Sequence, residues 1–111
     1  MTEIEVSGKR FEITTAGFLC ERDAWSEEVA LALASLAGID LGPAHWEIIF
    51  FIRDYYRRFE HLPNNRVFVK AVGKALGEEK GNTRYLYRLF PEGPLKTACQ
   101  IGGLPKPTTC I

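Results

Sequence analysis

Apolar and polar residues alternate in two short runs near the start of the chain, Ile4-Glu5-Val6 and Phe11-Glu12-Ile13, on either side of Ser7-Gly8-Lys9. That period of two predicts a β-hairpin. Two strands alone are marginal in water, so the hairpin must pack on helices. Beyond Gly17 the spacing becomes helical. A helix is expected from Asp23 or Ser26, either of which can cap it, to Ala37, with Gly38 as its stop and Val29, Leu33 and Leu36 as its buried face. Trp25 stands near its entrance.

Pro43 suits the first turn of a second helix, running to about His61. Trp46, Ile49, Phe50, Ile52, Tyr56 and Phe59, with Ile48, Phe51 and Tyr55, exceed one apolar stripe, so this helix is expected to cross the centre of the molecule. Pro63 breaks it. Asn64 can cap a third helix ending near Gly77, Asn82 a fourth ending before Pro91, and Pro94 can open a short fifth reaching Ile101. The predicted fold is mainly α: a compact bundle of about five helices with a small N-terminal β-hairpin, residues 1–101. Residues 102–111 are expected to form a flexible C-terminal arm.

Length, 111 residues, is that of one domain with enough chain for a core. Hydrophobic residues at 46% and charged residues at 25% are ordinary for a globular protein. No apolar run has the length of a membrane span and no leader pattern is evident, so the cytoplasm is the expected compartment; separately, the chain is expected to act as a monomer. Net charge is zero but unevenly spread: residues 1–60 hold 6 Lys+Arg against 11 Asp+Glu, and residues 61–111 hold 8 against 3. A basic second half favours a thiolate there and attracts anions, an acidic partner or nucleic acid.

The chemistry-bearing residues gather at the end. Cys99 and Cys110 flank Gly102-Gly103-Leu104-Pro105-Lys106-Pro107-Thr108-Thr109. The glycines supply a hinge where positive φ is free of strain, and Pro105 and Pro107 stiffen the arm beyond it. Extended, the arm would carry the Cys110 thiol ~26–29 Å from Gly102. Folded back, it can bring Cys110 to Cys99, and closing a loop of about ten residues takes on the order of 10–100 ns. In a reducing compartment such a pair is read as catalytic or redox-active, not structural. Cys20, behind Phe18 and Leu19, is expected to be buried and inert.

Gly103-Leu104-Pro105-Lys106-Pro107-Thr108 with Cys110 and a final apolar residue resembles the C-terminal motif of the DsrC/TusE family. It is preceded by Lys80-Gly81-Asn82, Tyr85-Leu86-Tyr87, Leu89-Phe90-Pro91 and Gly93-Pro94, and the likeness extends to Gly17-Phe18, Trp25 and His45-Trp46. That family includes the gamma protein of dissimilatory sulfite reductase and a sulfur-relay protein of tRNA thiolation. The resemblance implies a sulfur carrier, more a protein co-substrate than an autonomous enzyme. Cys110 would bear sulfur as a persulfide, and Cys99 would release it by closing a disulfide, with dissimilatory sulfite reductase and sulfur-transfer proteins as partners. The alternative within the family is relay by Cys110 alone toward tRNA 2-thiouridine, with a tRNA thiolation enzyme as partner. Gly102-Gly103 stands where Ala-Gly is expected, Thr109 where Gly is frequent, and Asn64-Asn65-Arg66 replaces the usual run after Pro63.

Lys106, and Arg84, Arg88 or Lys96 when the arm folds back, are the cations expected to support the arm or its substrate. His45 and His61 are read as structural. No P-loop spacing is present, and no CxxC or HxxxH pairing suggests a metal, so no cofactor is expected. Outside sulfur chemistry, the helix pair 64–77 and 82–90 has the size of a helix-turn-helix, which keeps DNA as a secondary partner through Arg84 and Arg88.

Overall fold

A computed structural model describes the backbone of residues 2–107 and, residues 2 and 22 apart, their side chains. The alternating runs pair as antiparallel strands β1 (Thr2–Val6) and β2 (Lys9–Ile13), in a register from Val6 opposite Lys9 to Thr2 opposite Ile13. Ser7 and Gly8 both take positive φ, 52° and 81°. This is the two-residue turn that matches strand twist. Lys9 therefore belongs to the strand and not, as expected, to the turn.

The chain then runs alongside β2, with an isolated bridge from Leu19 to Ile13 and the Cys20 amide donating to the Glu12 carbonyl at 3.0 Å. Phe18 turns into the helical core and Leu19 into the smaller cluster under the hairpin. By Cys20 the chain has left both, and this cysteine is exposed. The expectation of a buried Cys20 is corrected accordingly.

Helix α1 (Glu27–Leu36) is capped by Ser26, whose Oγ accepts from the Val29 amide at 3.2 Å. Asp23 falls instead in a 3-10 turn, Arg22–Ala24. The buried stripe is Val29, Ala30, Leu33 and Ala34. Leu36, expected inside, is 58% exposed. At 3.6 residues per turn it lies about 90° round the helix from the centre of that stripe.

Helix α2 (Pro43–Phe59) is more one-sided than its composition suggested. Only Ile48, Ile49 and Ile52 are fully buried, while Phe50 and Phe59 are exposed. Its aromatic residues pack on one another along the flank: Trp46 stacks on Phe50 at 5.6 Å between ring centres.

Helices α3 (Asn65–Leu76), α4 (Thr83–Leu89) and α5 (Pro94–Ile101) complete the bundle. Asn64 and Asn82 cap α3 and α4 through their Oδ1 atoms, each accepting a backbone amide at 2.8 Å. The turn between them presses its backbone on α3. A Cβ added to Gly81 would stand 2.2 Å from Gly73 Cα, so only glycine fits there. Lys80 pairs with Glu47 at 2.7 Å and ties this turn to α2.

The helix that the others surround is α5. It packs on α1, α2 and α4 and buries six of its eight residues. Among the described residues no helix is long and apolar enough to cross a membrane.

Candidate functional site at the cap of α5

Cys99 sits two residues before the end of α5 and is 0% exposed, within the main core beside Leu95, Ala98 and Ile101. Burial pushes its thiol up to about 12 from an ordinary 9.0. In this conformation it is a protonated core residue and a poor nucleophile.

What holds it there is a fully satisfied helix end. Four carbonyls at a helix C-terminus lack intrahelical partners. Here the Leu104 amide donates back to the Cys99 carbonyl at 2.9 Å and the Gly103 amide to Gln100 at 3.4 Å. With Gly103 at φ +70°, this is a Schellman cap. Leu104 is itself buried beside Cys99 in the core cluster, the apolar contact that accompanies such a cap.

The next two carbonyls are taken by side chains from elsewhere. Trp25 Nε1 donates to the Ile101 carbonyl at 2.9 Å, and Arg53 Nη1 donates to the Gly102 carbonyl at 2.5 Å. The Arg53 guanidinium also lies 3.8 Å over the Trp25 ring, a cation–π contact. Burial, and then the nearby Arg57 charge, lower the Arg53 pKa. It remains a cation, placed where the helix dipole favours one.

Gly102 and Gly103, expected as a loose hinge, are in this conformation buried and interlocked. A Cβ on Gly103 would stand 2.4 Å from Trp25 Cδ1, and one on Gly102 2.8 Å from the Ala98 carbonyl. Any swing from this point must first undo the cap. Pro107 is also buried. Cys110 lies outside the described residues, as do Thr108, Thr109 and Ile111.

The four expected cations divide. Lys96 and Lys106 meet on one groove of about 150 Å³, with Asn65, Tyr87 and Pro107 among its lining residues. Arg84 and Arg88 are exposed on α4 and do not line it. His45 links elements: its Nδ1 accepts from the Gly42 amide at 3.1 Å, and its Nε2 contacts the Leu89 carbonyl at 3.0 Å. That arrangement assigns the proton to Nε2. His61 is exposed at the far end of α2. Among the described residues no group of three or more His, Cys, Asp or Glu could hold a metal.

The roles of Trp25 and Arg53 were missed in the sequence. Trp25 was visible only as a residue near a helix entrance, and the signal that pairs it with Gly103 is steric and long-range.

Comparison with known proteins agrees with this architecture. A family model described as "DsrC like protein" matches residues 5–111. The chain is 53% identical over 104 residues to a protein named sulfurtransferase TusE from Escherichia coli K12, covering 94% of this chain and 95% of that one. Its fold is similar to the solution structure of Allochromatium vinosum DsrC, with a TM-score of 0.90 and 49% identity over 98% of this chain and 97% of that one. It is also similar to the oxidized gamma subunit of dissimilatory sulfite reductase from Archaeoglobus fulgidus, with a TM-score of 0.87 and 43% identity over 99% of this chain and 100% of that one.

Proposed function

From the premise that this chain belongs to the DsrC-like protein family, we propose that it is a sulfur-relay protein, a sulfurtransferase-type carrier in which Cys110 alone takes up and hands on a sulfur atom. The Cys110 thiolate attacks the outer sulfur of a donor persulfide. The donor's S–S bond breaks, the donor leaves as a thiolate, and Cys110 becomes the persulfide. An acceptor thiolate on the next protein then repeats the exchange, with no net oxidation at either step. The acceptor chain ends in tRNA 2-thiouridine, and the protein acts as co-substrate of its partners.

The observation that carries this reading is the sealed state of Cys99, 0% exposed and raised to about 12. A relay through Cys110 needs nothing from it. The 53% identity to a protein named sulfurtransferase supports the same choice.

A second reading is favoured by the presence of both cysteines together with the likeness to the two DsrC structures. Here Cys99, once exposed, attacks the inner sulfur of the Cys110 persulfide, forming a Cys99–Cys110 disulfide and releasing hydrosulfide. Two thiols are oxidised and the sulfane sulfur is reduced, so electrons balance. That route would serve sulfite reductase partners, and it demands that the α5 cap open first.

Replacing Cys99 separates the two. In a reconstituted thiolation assay reading 2-thiouridine, Cys99→Ala should keep transferring sulfur and Cys110→Ala should stop. Loss of transfer in Cys99→Ala, with an intact fold, would overturn the relay reading in favour of disulfide release.

A further inference from the structure

The groove holding Lys96 and Lys106 continues into a second. Asn65 and Tyr87 line both, and the second, about 520 Å³, adds Arg66 and Lys70 from α3. Four cations thus border one continuous surface, against a single acidic lining residue, Glu92. Among the described residues none of the four has an ion-pair partner. Tyr87, between the two ends, is 48% exposed on a helix whose other tyrosine is half-buried. The site owes its shape to Gly81, which also lines it and lets the α3–α4 turn lie against α3.

We propose that these joined grooves seat a single strand of RNA, with the base of one nucleotide stacked on Tyr87 and neighbouring phosphates on Arg66, Lys70, Lys96 and Lys106. An acidic protein surface would be served by cations alone. An exposed aromatic face with cations to either side is the arrangement that a strand of bases and phosphates meets, because every base offers a face to stack. The Asn65 amide can both donate to and accept from a base edge. Arg66 and Lys70 stand four residues apart, ~6 Å along one side of α3, so they can reach successive phosphates.

The location gives the groove a purpose. Lys106 is four residues from Cys110, so a bound strand lies within ~13–14 Å of backbone reach of the sulfur-bearing thiol. This inference rests on the relay reading for its choice of RNA, but binding itself needs no sulfur.

The test uses the full-length, sulfur-free protein and a short fluorescein-labelled oligouridine, read by anisotropy. Four phosphate contacts at a slope of ~0.7 each predict about 50-fold weaker binding when salt rises fourfold. Tyr87→Ala should weaken binding about 5- to 150-fold while Tyr87→Phe retains it. Lys70→Glu combined with Lys96→Glu should weaken binding and flatten the salt slope, whereas Lys9→Glu, on the hairpin, should change neither. Circular dichroism confirms that each variant is folded. Undetectable binding at low salt, indifference to Tyr87→Ala, or equal affinity for a DNA duplex would overturn the proposal. A protein that relays sulfur normally yet fails to bind RNA removes this inference and leaves the relay reading standing. Binding intact in a protein unable to relay does the reverse.

Discussion

The indole of Trp25 donates to the carbonyl of Ile101 at 2.9 Å, across 76 residues of chain, and its ring covers Gly103 so closely that no side chain fits beneath it. A single side chain, two residues ahead of α1, thus closes the end of α5, and closing that end keeps Cys99 dry. Trp25→Phe keeps most of the apolar contact and removes the donor, a loss of about 0.5–1.5 kcal/mol. Local opening of the cap should become several-fold more frequent, and Cys99 alkylation by iodoacetamide under native conditions should accelerate by the same factor. Peptide mass mapping over time checks this. An unchanged Cys99 rate would mean that the thiol is exposed by some other motion.

Gly103→Ala attacks the same cap from the other side. At φ +70°, with Trp25 2.4 Å from the added Cβ, alanine is strained in backbone and in packing together. A loss of more than about 1 kcal/mol of stability is expected in urea unfolding. Cys99 should also gain exposure in the native state.

Gly81→Ala should be as harmful for a different reason. No positive φ is at stake there, only space: an added Cβ would stand 2.2 Å from Gly73 Cα and 3.0 Å from the Val69 carbonyl. The turn must lift off α3, so the substitution should lower stability and disturb the Tyr87 groove, seen as amide shifts confined to α3, α4 and their connection.

The buried thiol also predicts a pH dependence. Cys99 titrates near 12 in the folded chain and near 9.0 when unfolded. Above pH 9 the unfolded state therefore holds fewer protons than the native one, and stability falls as pH rises from there toward 12. Below pH 9 this contribution is constant. The difference in unfolding free energy between pH 8 and pH 10 should shrink in Cys99→Ala, which has no proton to lose, although the substitution itself costs stability by leaving a small cavity.

Much of the fold was legible because its signals are local. Alternation marked the hairpin, Ser26, Asn64 and Asn82 are caps that act within three residues, and Pro43 and Pro94 open the helices they were expected to open. The misreadings concern which face of a helix meets which neighbour. Leu36 belongs to α1's apolar set yet falls off its buried stripe, and α2's wealth of aromatics marks a flank of stacked rings, with α5 at the centre instead. Cys20 misled because two buried neighbours do not fix where the third residue of an extended segment points. At the site, Lys96 and Lys106 do share a groove, but Arg84 and Arg88 do not join them. No local pattern announces that Gly102-Gly103 will be pinned by Trp25 and Arg53, since both partners come from far along the chain.

A relay of this kind holds its sulfur at Cys110 while Cys99 stays closed. Incubating the full-length protein with glutathione persulfide, alkylating under native conditions and mapping the peptides by mass measures this directly. One added sulfur atom is predicted on the Cys110 peptide, with Cys99 recovered without added sulfur as a thiol that a brief native exposure leaves largely unalkylated and that reacts fully after denaturation. Sulfur found on the Cys99 peptide, or none on Cys110 after full exposure to the donor, would contradict it.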